Sequence, residues 1–271
     1  MTRDENGLLY LVVDMGNTET VLGLMEAESG EVRAHWRLTT GTARTADEFD
    51  HMIYSLLDRR GFSPHALGMG VLGSVVPSLN DRLTKAMEAL VPGPVLVVEP
   101  GAGLPIRLEV DDPKTVGADR IVNTLAAKIL YGRDTVVVDL GTATTFDCIT
   151  AEGEFLGGVI APGIQTGLEW LGRRAAKLPK VQFRPPDTVI GRRTETCMES
   201  GVFYSSVDAI DGMVRRILDE WGRDGALVVA TGGYAPLVAD FCQTVEKVEP
   251  FLTLRGLHLA GRFAMGDETE G

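Results

Sequence analysis

Apolar and polar positions repeat along the chain in a way that predicts most of its elements. LVVDMGNTETVLGL at residues 11–24 and VVVDLGTATTFDCI at 136–149 agree at five of fourteen positions. Each opens with a β-branched run, reaches Asp-x-Gly, passes through small hydroxyl-bearing residues and returns to an apolar run. That pattern predicts strand, tight turn, strand, with the glycine leaving backbone amides uncovered. The copies begin 125 residues apart, close to half the chain. Two related lobes are therefore expected, 1–130 and 131–271.

Between the copies, Phe49, Met52, Ile53 and Leu56 predict a helix over 45–59. Strands are expected over 69–76 and 95–98 with a helix over 79–90 between them. Ile121, Val122, Leu125, Ala126, Ile129 and Leu130 mark an amphipathic helix over 118–131, closed by Gly132. Further on, 194–220 reads as one long helix or two, weakened at Gly201 and Gly212. In it Val202, Phe203, Val207, Ile210 and Val214 serve either a core or an interface. A buried strand over 226–230 precedes Thr231-Gly232-Gly233, and another helix is expected to begin over 237–243. Alternating strands and helices place the chain in the α/β class. The residues after Met265 read as a frayed tail.

Composition narrows the chemistry. With 271 residues, 44% of them hydrophobic, the chain buries a sizeable core. Its 38 acidic against 26 basic residues give a net charge of −12, which disfavours nucleic acid and anionic membrane as partners. A single pocket of backbone amides can still take a small anion such as a nucleotide. Cys148, Cys197 and Cys242 are odd in number and form no CxxC, so neither a disulfide framework nor a zinc site is expected, and a reducing compartment is. The opening MTRDENG is too polar for a signal peptide, and the apolar run at 8–13 is too short to span a bilayer. A cytoplasmic protein is the expectation.

Asp14 and Asp139 each end a predicted strand and precede a glycine. A carboxylate there suits a hydrated Mg²⁺, while the turn's amides and hydroxyls suit phosphate oxygens; two such turns would clamp a nucleotide. Gly232 and Gly233 are either a plain strand-to-helix turn or a place where a purine lies against bare backbone. Gly68, Gly70 and Gly73 spell GxGxxG but lie inside an apolar run with no helix directly after, the wrong setting for a dinucleotide fingerprint. With no Gly-Lys dipeptide, a Walker A loop is excluded. Asp119 and Arg120 open the helix over 118–131. They are either a helix-start carboxylate and a surface charge, or a general base and an anchor for a substrate anion. Their position just before the second Asp-x-Gly turn favours the second. His35, His51, His65 and His258 read as structural or surface residues, and Arg173, Arg174, Lys177 and Lys180 as a solvated face.

Taken together in order, these motifs resemble the type III pantothenate kinases of the acetate and sugar kinase/Hsc70/actin superfamily. The resemblance runs through DMGNT at 14–18, SVVP at 74–77, DPKTVGADR at 112–120, DLGTATT at 139–145 and GGVIAPG at 157–163. It continues through RAAKLP at 174–179, ATGG at 230–233 and EPFLTLRGL at 249–257. It implies two related ribonuclease H-like lobes with mixed sheets flanked by helices, of the actin-like ATPase superfamily, and ATP-dependent phosphorylation of the primary hydroxyl of pantothenate, opening coenzyme A synthesis. On the matching positions, Asp14, Met15, Gly16, Asn17, Thr18, Glu19, Thr20 and Val21 would form the first ATP-phosphate loop. Thr142 would touch ATP in the second loop, and Asp139 would hold a monovalent cation, K⁺ or NH₄⁺. Asp14 would hold Mg²⁺ through phosphate or water. Asp119 would accept the proton, Gly117, Ala118, Asp119 and Arg120 would form the pantothenate turn, and Thr194 would add a contact. Where many relatives have Tyr, three residues before Pro113, this chain has Val110, which puts one substrate hydrogen bond in question. A homodimer with the pocket near its interface is also implied. Two rivals share the ancestry: a kinase for another small hydroxylated substrate, and a non-catalytic regulator of the Bvg accessory factor type. Asp14, Asp119, Arg120, Asp139 and Thr142 are all present, which speaks for the enzyme.

Overall fold

The computed structural model describes residues 8–41, 44–174, 179 and 181–267. Lys177, Lys180, the side chains of Arg173 and Arg174, the first seven residues and the last four lie outside that description. The chain forms two compact units.

Unit 1 holds residues up to 106, 111–129 and 253 onward. Its strands are β1 (Leu9–Met15), β2 (Glu19–Glu26), β3 (Val32–Thr39), β4 (Leu67–Ser74) and β5 (Val95–Val98), in the spatial order β3-β2-β1-β4-β5. β1 runs antiparallel to β2 and parallel to β4, so the sheet is mixed. Because β1 is central and covered on both faces, it reads as an unbroken apolar run. Leu9, Leu11, Val13 and Met15 enter the cluster formed with α1 (Ala46–Asp58) and α2 (Pro77–Leu90). On α1, Thr45 caps through a reciprocal capping box with Glu48, and Phe49, Ile53 and Leu57 are buried. Leu57, four residues on from Ile53, takes the core position that the periodicity assigns to Leu56, which is half-buried. The GxGxxG glycines all lie within β4; a side chain at Gly73 would collide with Leu257 of the C-terminal helix. They serve close packing and no dinucleotide loop. α3 (Ala118–Tyr131) ends at Gly132, where φ is +57°.

Unit 2 holds residues 107–110 and 130–252. Its strands are β6 (Arg107–Leu108), β7 (Thr135–Leu140), β8 (Ala143–Ile149), β9 (Glu154–Pro162), β10 (Leu227–Thr231) and β11 (Lys247–Val248). The order β11-β10-β7-β8-β9-β6 repeats, strand for strand, the order and pairing sense of unit 1, with β6 added at the edge. Its helices are α4 (Ile164–Arg174), α5 (Thr194–Trp221) and α6 (Ala235–Val238). α5 is one continuous 28-residue helix, and Phe203, Val207, Ile210 and Val214 are core residues packed with the sheet. The last helix, α7 (Leu252–Ala264), belongs with unit 1, where Leu254 and Leu257 meet β2 and β4.

Apart from residue 130, which falls in unit 2, the observed units differ from a cut at 1–130 and 131–271 in two places. Residues from 253 on join unit 1 because the apolar face of α7 is buried there, and 107–110 join unit 2 because β6 pairs with β9. The helix expected over 237–243 is also corrected. α6 stops at Val238, a 3₁₀ turn (Ala239–Phe241) follows, and the carboxylate of Asp211 on α5 takes the amides of Gln243 and Thr244 at 2.9–3.0 Å. Amides captured by a side chain are lost to a helical ladder. β3, β9, α4 and α7 are further elements that the pattern does not announce. Among the described residues no helix is long and apolar enough to cross a membrane.

Candidate functional site

In unit 1 the chemistry-bearing residues meet at one end of the β1–β4 parallel pair. Register sets Asp14 opposite Gly73 and Met15 opposite Ser74, and Val75 N–H donates to Met15 O at 3.0 Å. Parallel strands end together, so the first hairpin and the segment entering α2 lie side by side. The turn closes from within as Gly16 N–H donates to Glu19 O at 2.9 Å; a β-carbon on Gly16 would press on that same oxygen. Asn17, Thr18 and Glu19 are exposed, whereas Met15 and Thr20 are buried, so only the main chain of these last two is available to a ligand. Glu19 pairs with Arg37 at 3.0 Å, an exposed contact of little energetic weight.

The start of α3 stands against the same strand ends. Ala118 is buried beside Gly73, and Gly117 lies against Val75. Gly117 O accepts from Arg120 N and Ile121 N, both at 3.1 Å, opening the helix. Asp119 Oδ1 accepts from Arg120 N at 2.9 Å. Asp119 and Arg120 are both half-buried, so Arg120 is no plain surface charge. Burial pushes the Asp119 carboxyl above the ordinary carboxylate range; the Arg120 amide and the Arg120 charge oppose that shift without cancelling it. Serving as a cap would have lowered it, so this carboxyl is held at a cost that helix capping does not explain.

In unit 2 two motifs that begin 91 residues apart, at Asp139 and Ala230, come together. Asp139 sits in the ladder between Thr145 of β8 and Thr231 of β10. Gly141 N–H donates to Ala143 O at 3.0 Å, making this the tighter of the two hairpins. Gly232 has φ +89°, and a β-carbon there would fall 2.5 Å from Asp139 Oδ1. Gly233 is exposed, and Tyr234 N–H donates to Leu140 O at 3.3 Å. The Thr-Gly-Gly turn therefore lies against the second Asp-x-Gly turn. Thr142 is exposed; its carbonyl takes the Thr166 hydroxyl at 3.2 Å. Gln165 at the start of α4 bonds Tyr234 Oη at 3.1 Å. Gln165, Thr166 and Tyr234 escape sequence reasoning, although they neighbour GGVIAPG and ATGG. Thr194 is exposed at the first residue of α5. Val110 lies against Gly157, whose φ is +107°, with Cγ1 3.6 Å from where a β-carbon would be.

Thus Asp14 and the turn 117–120 belong to one unit, and Asp139, Thr142, Gly232, Gly233 and Thr194 to the other. Among the described residues no three His, Cys, Asp or Glu gather as a cage for a metal. Mg²⁺ needs none, since it binds through one or two carboxylates plus phosphates and water. One carboxylate at a strand end beside glycine amides, as at Asp14, fits that mode. Of the histidines, His258 is buried, with Nε2 3.0 Å from Ala27 O, and the other three are exposed.

A family model described as type III pantothenate kinase matches residues 10–216. A type III pantothenate kinase of Acidothermus cellulolyticus is 43% identical over 251 residues, covering 93% of this chain and 97% of that protein. Among solved structures, a Baf family transcriptional activator from Campylobacter jejuni superposes with TM-score 0.58 at 19% identity, covering 94% of this chain and 99% of that one. An archaeal actin homologue superposes with TM-score 0.53 at 13% identity, covering 95% of this chain and all of that one. At those identities the structural likeness establishes the actin-like fold alone.

Proposed function

The chain belongs to the type III pantothenate kinase family, and on that premise we propose that it transfers the γ-phosphoryl group of ATP to the primary hydroxyl of pantothenate. The product is 4′-phosphopantothenate, the first step toward coenzyme A. One observation carries the site assignment: a half-buried carboxyl with a raised pKa, Asp119, stands at the same strand ends as the Asp14 hairpin.

Phosphoryl transfer asks little covalent chemistry of a protein and much positioning. Backbone amides of the turn and the exposed hydroxyl of Thr18 are suited to the phosphate oxygens of ATP. Thr142, with Gly232 and Gly233, is assigned to the nucleotide on the second unit. Asp119 takes the proton of the attacking hydroxyl; a carboxylate with an elevated pKa is a better base than an ordinary one. Arg120 pairs with the pantothenate carboxylate. Gly117 and Ala118 would meet the substrate through their main chain at the helix start, and Thr194 adds a contact. Asp14 would hold Mg²⁺ and Asp139 a monovalent cation; when bound, such ions neutralise charge on the phosphates. A cytoplasmic homodimer with the pantothenate site near its interface completes the reading.

The test is incubation of the purified protein with ATP, Mg²⁺ and pantothenate, with and without K⁺, and detection of phosphopantothenate by mass spectrometry. Product from pantothenate and from no other hydroxylated acid or sugar in a panel supports the assignment; ATP consumption with a different acceptor, or none, overturns it.

A further inference from the structure

The first hairpin is held from outside by a residue that no motif marks. Thr40, one position beyond β3, donates its backbone N–H to Thr18 O at 2.9 Å. Its Oγ1 shares a hydrogen bond of 2.7 Å with Thr20 Oγ1. These side chains belong to residues only 5% and 4% exposed. Two hydroxyls taken out of water must satisfy one another or stay unmet, so the bond fixes where the hairpin lies against the end of β3. A small cavity adjoins the bond, lined by Thr20, Leu38, Arg44, Phe49 and Leu83. The strap carrying Thr40 is braced in turn: Arg44 Nη1 donates to Thr39 O at 3.1 Å, and Arg82 Nη1 of α2 donates to Arg44 O at 3.2 Å.

We infer that Thr40 is a positioning residue for the nucleotide: through its bond to Thr20 it keeps turn 16–18 in the geometry that receives phosphate, and so sets ATP affinity without touching ATP. The inference rests on the reading of the Asp14 hairpin as the first phosphate loop. Thr20, placed in that loop by its position, acts here through its buried hydroxyl, which is bonded to Thr40.

Thr40→Val and Thr40→Ser in the full chain test this, read by the dissociation constant of Mg·ATP, by KM for each substrate, by kcat and by thermal unfolding. Valine keeps the shape and the backbone donor but removes the hydroxyl. It is expected to weaken ATP binding about 5- to 30-fold, because the receptive hairpin is populated a smaller fraction of the time. KM for pantothenate and kcat stay within about twofold of wild type, and serine restores ATP affinity. ATP affinity within about twofold of wild type in Thr40→Val overturns the inference. So does serine performing no better than valine, or both KM values and kcat worsening together in step with lost thermal stability. Should Thr40→Val not fold, Thr40→Ala removes the same hydroxyl without adding a methyl and must show the same selective loss. Wild-type protein that binds ATP but does not phosphorylate pantothenate sinks the proposed function and leaves this inference standing on affinity; protein that binds no ATP sinks both.

Discussion

Gly117→Ala probes the placement of Asp119, the proposed base, without altering any reacting group. A methyl at Gly117 would stand 3.1 Å from Val75 Cγ1 and far inside contact of Asp119 Oδ1, an overlap of about 1 Å against the 3.4 Å of ordinary contact. The backbone of Gly117 is not among those with positive φ, so alanine meets no strain in the main chain itself. The cheap response is rotation of the Asp119 carboxyl, which breaks its 2.9 Å bond from Arg120 N. Misplacing a catalytic group by about 1 Å costs roughly 100-fold in rate. The expected result is kcat down by about that factor, Mg·ATP affinity unchanged because the Asp14 hairpin is untouched, and Tm within a few degrees of wild type. Steady-state kinetics beside calorimetric ATP binding and a melting curve read all three. Wild-type kcat in this variant would refute the reasoning, showing that Asp119 is not the base or that Gly117 does not set its position. Equal loss of ATP affinity would place the damage elsewhere.

Asp119→Asn should lower kcat by about 10²- to 10⁴-fold with ATP binding retained. Because burial raises the Asp119 pKa above 3.8, the acid limb of wild-type kcat should lie above the ordinary carboxylate range, activity falling as pH drops through it. A raised folded-state pKa contributes stability below the unfolded value and loses it as pH rises through the folded one, so the same variant should melt higher than wild type at neutral pH. Gly232→Ala puts a side chain at φ +89° and 2.5 Å from Asp139 Oδ1; we expect about 1–2 kcal/mol of destabilisation, a Tm lowered by several degrees and weaker nucleotide binding, measurable by thermal shift with and without ATP. His258 is depressed below 6.5 chiefly by burial, against the bond to Ala27 O, so its contribution to stability is present above 6.5 and lost as pH falls; His258→Gln should flatten the decline in Tm between about pH 7 and 5.

Sequence by itself determined what depends on near neighbours. Residues 11–24 and 136–149 form hairpins because β-branched runs favour strands and Asp-x-Gly permits the turn between them. α1 and α3 carry apolar stripes at helical spacing, and the duplicated hairpin announced two sheets of one topology. The family motifs supplied the chemistry expected at Asp14, Asp119 and Asp139. Tertiary structure decided what depends on distant chain. It set Gly73 opposite Asp14, brought Ala118 onto Gly73 and laid Gly232 on Asp139. It tied Thr40 to Thr18 and Thr20, and let Asp211 of α5 take the amides that a helix over 237–243 would have used. It also gave α7 to unit 1, where its leucines find apolar partners on β2 and β4. Local periodicity records which face of an element is apolar, but which surface that face meets, and which carboxyl loses its water in the meeting, is settled only when remote segments compete for the same buried area.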